Sequence, residues 1–120
     1  MGLSTKQQEF TRCVSQLINF ATAQGFGLTF GDAYRDKRAH GDFGSKYGYS
    51  AASSVHKKRL AVDLNLFVDD KYITDGGCEE YLMLGNAWER MHPDARWGGN
   101  FKGKSANDAN HFSFEYKGFK

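Results

Sequence analysis

The sequence has little with which to cross-link itself, stiffen itself or enter a membrane. Its two cysteines, Cys13 and Cys78, are too few for a disulfide framework and lack CxxC spacing, so both read as free thiols. A single proline excludes a Pro-rich linker or recognition segment. No apolar run approaches the roughly 20 residues of a membrane span. The N-terminal stretch lacks the apolar core of a signal peptide, and Lys6 breaks the myristoylation pattern that Met1-Gly2 suggests. Synthesis in the cytosol without signal-directed export, and no stable membrane insertion, are therefore expected. A net charge of +2 gives no case for nucleic acid, while remaining compatible with anionic wall or surface polymers.

What is present fits one domain spanning residues 1–120, because 40% hydrophobic residues and no repeat allow a single sizeable core. Ser4 and Gln7 have the form of a capping box. Phe10, Val14, Leu17, Ile18 and Ala21 then recur at helical spacing until Gly25, which predicts a covering helix over residues 5–24. Residues 26–34 read as a strand leading to Arg35. Residues 36–53, with His40 and several glycines, form a loop long enough to suggest a lid or substrate wall. A second strand begins near Leu60, with Val62, Leu64 and Leu66 on one face and Ala61, Asp63 and Asn65 on the other. Asp69 and Asp70 read as a turn, residues 71–73 as a return strand, and residues 79–91 as a second helix with Tyr81, Leu84, Trp88 and Met91 on one face. His92 and Pro93 close that helix. A last strand over residues 111–116 sets Phe112, Phe114 and Tyr116 against His111, Ser113 and Glu115.

The chemistry concentrates at His56 and Asp63, which look like two ligands of one metal. Seven residues of continuous strand would separate them by about 23 Å, and of helix by about 10 Å along the axis. A bend at Lys57, Lys58 and Arg59 must therefore deliver His56 from a loop and Asp63 from the strand. His111 is the third candidate ligand, and a His2Asp set leaves zinc an open position for water. Asn107, Asp108, Ala109 and Asn110 favour a turn that brings the Asp108 carboxylate within reach of that water as general base. Arg35, at a strand end, is the candidate cation for the developing oxyanion.

The full spacing, Ser54-x-His56, then Asp63, then Asp108-x-x-His111, resembles the zinc peptidases related to D-alanyl-D-alanine carboxypeptidases and dipeptidases. Ala-Tyr-Arg at 33–35, the run from His56 to Phe67, Arg-Trp-Gly-Gly at 96–99 and Asn-His-Phe-Ser at 110–113 are similar to the L-alanyl-D-glutamate peptidases of phage endolysins. That resemblance implies zinc at His56, Asp63 and His111, a base at Asp108, a polarising Arg35, and substrate contacts from Ser54, Trp97 and Arg96. It implies a small α+β domain, an antiparallel sheet flanked by helices of the D-Ala-D-Ala peptidase/hedgehog-like kind. It also implies a monomer that acts on bacterial peptidoglycan, made in the host cytoplasm and reaching the wall through the periplasm once the membrane is permeabilised. Many relatives carry Glu where this chain has Asp108, so the shorter side chain requires a closer loop. Two other readings stay open: release of terminal D-alanine, and a zinc-containing wall-binding domain without catalysis.

Overall fold

The computed structural model describes residues 2–31, 58–101 and 108–120. Its first element, α1 (Leu3–Ala23), buries Phe10, Cys13, Leu17 and Ala21 along one stripe, the 3–4 spacing of an amphipathic helix. The expected capping box does not form. Gly2 is the N-cap, without a side-chain bond, and the Gln7 amide that would have reached back donates instead to the Lys58 carbonyl at 2.7 Å. The other end follows expectation. Gly25 has φ +83°, and the Gly25 and Phe26 amides bond the Thr22 and Ala21 carbonyls at 3.0 and 2.9 Å. These two bonds close a left-handed C-terminal cap that satisfies the last helical carbonyls.

Five antiparallel strands follow among the described residues: β1 (Gly27–Phe30), β2 (Ala61–Val68), β3 (Lys71–Tyr72), β4 (Ala95–Trp97) and β5 (His111–Phe114), with α2 (Glu79–Met91) between β3 and β4. The sheet order is β1-β2-β5-β4, and β3 also pairs with β2. Asp69 and Asp70 lie at φ 53° and 63°, the left-handed pair that a two-residue hairpin turn requires, and β3 returns with Val68 opposite Lys71. β4 is an addition to the sequence reading. β5 is shorter than expected, ending at Phe114, although the Glu115 amide still bonds the Asp94 carbonyl opposite it at 2.8 Å.

β2 is the strand to which most others attach. One edge pairs with β1, and the other pairs first with β5 and then with β3. Between those two partners the Leu64 carbonyl and Leu66 amide have no strand opposite them. The Tyr81 hydroxyl fills that gap, accepting from Leu66 N at 3.2 Å and donating to Leu64 O at 3.4 Å. One side chain of α2 thereby replaces a strand residue, since buried backbone groups must be bonded. Burial raises the Tyr81 pKa, so its proton stays in place.

The apolar face of the sheet packs beneath both helices. Phe10 meets Phe114 edge-on at 5.2 Å and Trp88 at 5.7 Å, while Trp88 meets Phe112 at 6.0 Å, geometries that aromatic quadrupoles favour. The opposite face was expected to point away from the core. Its middle is closed as well: Asp63 is 8% exposed, His111 5% and Ser113 0%. The fold is thus a small single α+β domain with helices against an antiparallel sheet. Among the described residues no helix is long and apolar enough to cross a membrane.

Lys6 ties the start of α1 to the far end of the sheet, bonding the Glu115 carbonyl at 2.7 Å and the Asp94 carboxylate at 2.9 Å. The hydrogen bond from Lys6 holds the Asp94 pKa below 3.8. A depressed carboxylate pKa adds stability above the unfolded value and loses it as pH falls through the folded one. Asp94→Asn should therefore cost at most about 1 kcal/mol at pH 7, as expected for a part-exposed pair. In denaturant titrations the gap from wild type should close as pH drops below 3.8.

Candidate functional site

Strand register assembles the centre of the site. Asp63 on β2 and His111 on β5 are directly opposed, so alternation turns both side chains to the face away from the helices. The Asp63 Oδ1 and His111 Nδ1 atoms stand 3.4 Å apart. Two donors on one tetrahedral zinc, at bond lengths of about 2.0–2.1 Å, are separated by roughly 3.3 Å. The donor types and their separation therefore fit a zinc site. Among the described residues there is no cluster of three or more His, Cys, Asp or Glu side chains. His56, the expected third ligand, lies outside the described residues, as do Ser54, Arg35, His40 and the loop at 36–53.

The expected bend before β2 is present where it can be followed. Residues 58 and 59 form a turn, and Arg59 has φ 55°. Gly31, at the end of β1, donates to the Asp63 carbonyl at 2.7 Å, and a Cβ there would sit 3.1 Å from Asp63 Cβ. Glycine allows this close approach beside the carboxylate-bearing residue. On the other side of the pair, the Phe101 ring lies 5.5 Å from the His111 imidazole.

Asp108 opens the turn that enters β5. The His111 amide donates back to the Asp108 carbonyl at 3.0 Å, which closes the turn and sets the exposed Asp108 at the head of β5. The following residues are anchored to the sheet: Leu64 N donates to the Asn110 carbonyl at 2.8 Å, and Asn110 Nδ2 to Asn65 Oδ1 at 3.3 Å. Glu115 shares the face of His111 in sequence alternation, but its carboxylate is engaged by Arg96 Nε at 3.1 Å.

Two residues expected at the substrate are otherwise occupied. Arg96 also donates through Nη1 to the Pro93 and Ala95 carbonyls, both at 2.9 Å, so a substrate contact would compete with bonds inside the protein. Trp97 is 3% exposed and sits in the core, on the helix side of the sheet, where it does not present an open cleft wall. Side chains at Gly85 or Gly99 would collide with its ring. Its backbone amide bonds Glu89 Oε2 at 3.0 Å and its indole N–H the Ala109 carbonyl at 2.7 Å. The buried Ser113 was singled out only within a motif. Its hydroxyl has no hydrogen-bond partner among the described residues, and it shares the face of His111 on β5.

A family model described as D-alanyl-D-alanine carboxypeptidase matches residues 48–114. That span holds Ser54, His56, Asp63, Arg96, Trp97, Asp108 and His111, and excludes Arg35. No curated protein matches the chain.

The approach of Gly98 to this turn yields a test. A Cβ at Gly98 would collide with the Asp108 carbonyl and lie 2.9 Å from His111 Cβ. Gly98→Ala should cost about 1–3 kcal/mol through overpacking, whereas Gly2→Ala, where nothing lies within 4 Å, should lose only the N-cap preference for glycine, about 0.5 kcal/mol. Chemical denaturation of the two variants measures the difference.

Proposed function

The chain belongs to the D-alanyl-D-alanine carboxypeptidase family of peptidases, and from that premise we propose a zinc-dependent peptidase that hydrolyses the L-alanyl-D-glutamate bond of bacterial wall stem peptides. The observation that carries this reading is the opposed Asp63 and His111 pair, 3.4 Å apart, with the Asp108 turn closing onto the same histidine. Peptidases of this family act on peptidoglycan and are generally zinc-dependent. His56, Asp63 and His111 would hold the metal. When bound, zinc polarises the scissile carbonyl and lowers the pKa of a water toward neutrality.

The remaining steps belong to the protein. Asp108 takes the proton of the attacking water and returns it to the leaving amine, a role that an exposed carboxylate at the head of a fixed turn suits. Arg35 donates to the carbonyl oxygen as charge gathers there, and Ser54 lies two residues before His56. The pairing across β2 and β5 orients Asp63 and His111 before substrate arrives, so little reorganisation is needed at the moment of reaction.

The choice of the L-alanyl-D-glutamate bond, and of a phage endolysin as the biological setting, rests on the segments at 33–35, 56–67, 96–99 and 110–113. In that setting the whole of residues 1–120 acts as one monomeric catalytic domain. It waits in the host cytoplasm and reaches the wall after the membrane is permeabilised. The family description itself favours a second reading, the release of terminal D-alanine.

Digestion of purified Gram-negative peptidoglycan separates the readings. New amino groups without new reducing sugar ends are expected, because attack at a carbonyl differs from glycoside cleavage by paired carboxylates. D-Glutamyl amino termini on the released peptides support the proposal; free D-alanine in their place supports the carboxypeptidase. Binding of wall peptides with no new amino group, in zinc-loaded protein, would mean a binding domain. Asp108→Asn should keep about one zinc per chain while turnover falls by about two to four orders of magnitude. His111→Ala should lose the metal, as read by elemental analysis.

A further inference from the structure

We infer that Trp97 is a positioning residue for the reaction, whose indole N–H fixes, through the Ala109 carbonyl, the turn that carries Asp108 and His111. The role of that turn in hydrolysis rests on the peptidase reading above. What holds the turn rests on geometry alone.

The three carbonyls at the head of β5 are each bonded to a different part of the protein. Asp108 O takes the His111 amide at 3.0 Å and Asn110 O takes the Leu64 amide at 2.8 Å. Ala109 O, between them, takes the Trp97 indole at 2.7 Å. Ala109 is 4% exposed, so water is a poor substitute for that donor, and a buried carbonyl left without one carries the full cost of its desolvation. The Asp108 bond lies inside the turn, and the Asn110 bond attaches it to the Asp63 strand. The Ala109 bond ties it to Trp97 of β4, whose ring packs against α2 at Gly85.

Trp97 is itself held in one place. Its ring occupies the space left by the missing side chains of Gly85 on α2 and Gly99 in the 3-10 turn Gly98–Asn100. Glu89 grips both sides of that turn, accepting from the Trp97 amide at 3.0 Å and from Asn100 Nδ2 at 2.9 Å. Gly98 then lets the Asp108 carbonyl pack directly against its Cα. A rigid indole, seated by two glycines and an acidic side chain, thus sets where the turn rests, and small displacements of catalytic groups lower turnover steeply.

The other tryptophan supplies a matched control. Trp88 belongs to the same core and its indole also donates, but to the Arg96 and Ser113 carbonyls, both at 3.1 Å, and not to the turn. Trp97→Phe keeps an aromatic ring and removes the N–H; Trp88→Phe does the same at the control position. With stem peptide as substrate, Trp97→Phe should lower kcat by about tenfold with KM and zinc content unchanged, while Trp88→Phe keeps kcat. In metal-free protein, hydrogen exchange at the His111 amide should quicken by about tenfold in Trp97→Phe alone. That second readout needs no activity, so it tests the inference even if wild type cleaves no wall peptide. Equal effects of the two variants on kcat or on His111 exchange would overturn it. Should Trp97→Phe not fold, wild-type exchange decides: the Trp97 indole and His111 amide protons should exchange at one common rate, and a His111 amide more than about tenfold faster would show the turn opening without Trp97.

Discussion

The direct opposition of Asp63 and His111 across β2 and β5 is the constraint on which the rest of the molecule turns. Strand pairing brings together two residues far apart in sequence, and the register settles which side chains meet. A slip of one position would move His111 to the helix side and Phe112 to the polar side. The apolar face prevents that slip, because Phe112 and Phe114 are fully buried against Phe10 and Trp88. The packing that stabilises the fold is therefore also what aligns the candidate ligands.

The same economy recurs where α2 meets the sheet. Tyr81 completes the edge of β2 beside Asp63, Trp88 bonds carbonyls of β4 and β5, and Glu89 steadies the segment that follows β4. A helix read from sequence only by its face of Tyr81, Leu84, Trp88 and Met91 is thus bonded at three points to the strands that frame the site. Its polar atoms replace backbone partners that short strands leave missing, as buried donors and acceptors demand. A domain of this size has little sheet to spare, and side chains supply the missing ladder bonds.

Much of this was legible in the residues. The 3.6-residue period of Phe10, Leu17 and Ala21 marked α1, the period-2 runs around Val62 and Phe112 marked the two central strands, and the Asp69-Asp70 pair marked the hairpin. Gly25 fell where a left-handed residue ends a helix. The misses share a cause, dependence on partners distant in sequence. Ser4 looked like a cap, but Gln7 is drawn away by Lys58 and the helix begins earlier. β4 is three residues long, too short to show alternation, and exists because β5 lies beside it. The resemblance placed Trp97 at the substrate, whereas Gly85 and Gly99 make room for its ring to be buried. The face of Asp63, His111 and Ser113 read as the outer one because its residues are polar, and its closure is visible only once the sheet is assembled.

The central claim is that Asp63 and His111 share a zinc ion. Anomalous scattering at the zinc edge, from crystals grown with one equivalent of zinc, tests it most directly. The account predicts a single strong peak about 2.0–2.2 Å from both Asp63 Oδ1 and His111 Nδ1, with His56 completing the protein ligands. A zinc peak bound elsewhere, with the Asp63 and His111 side chains in contact only with each other, would contradict it.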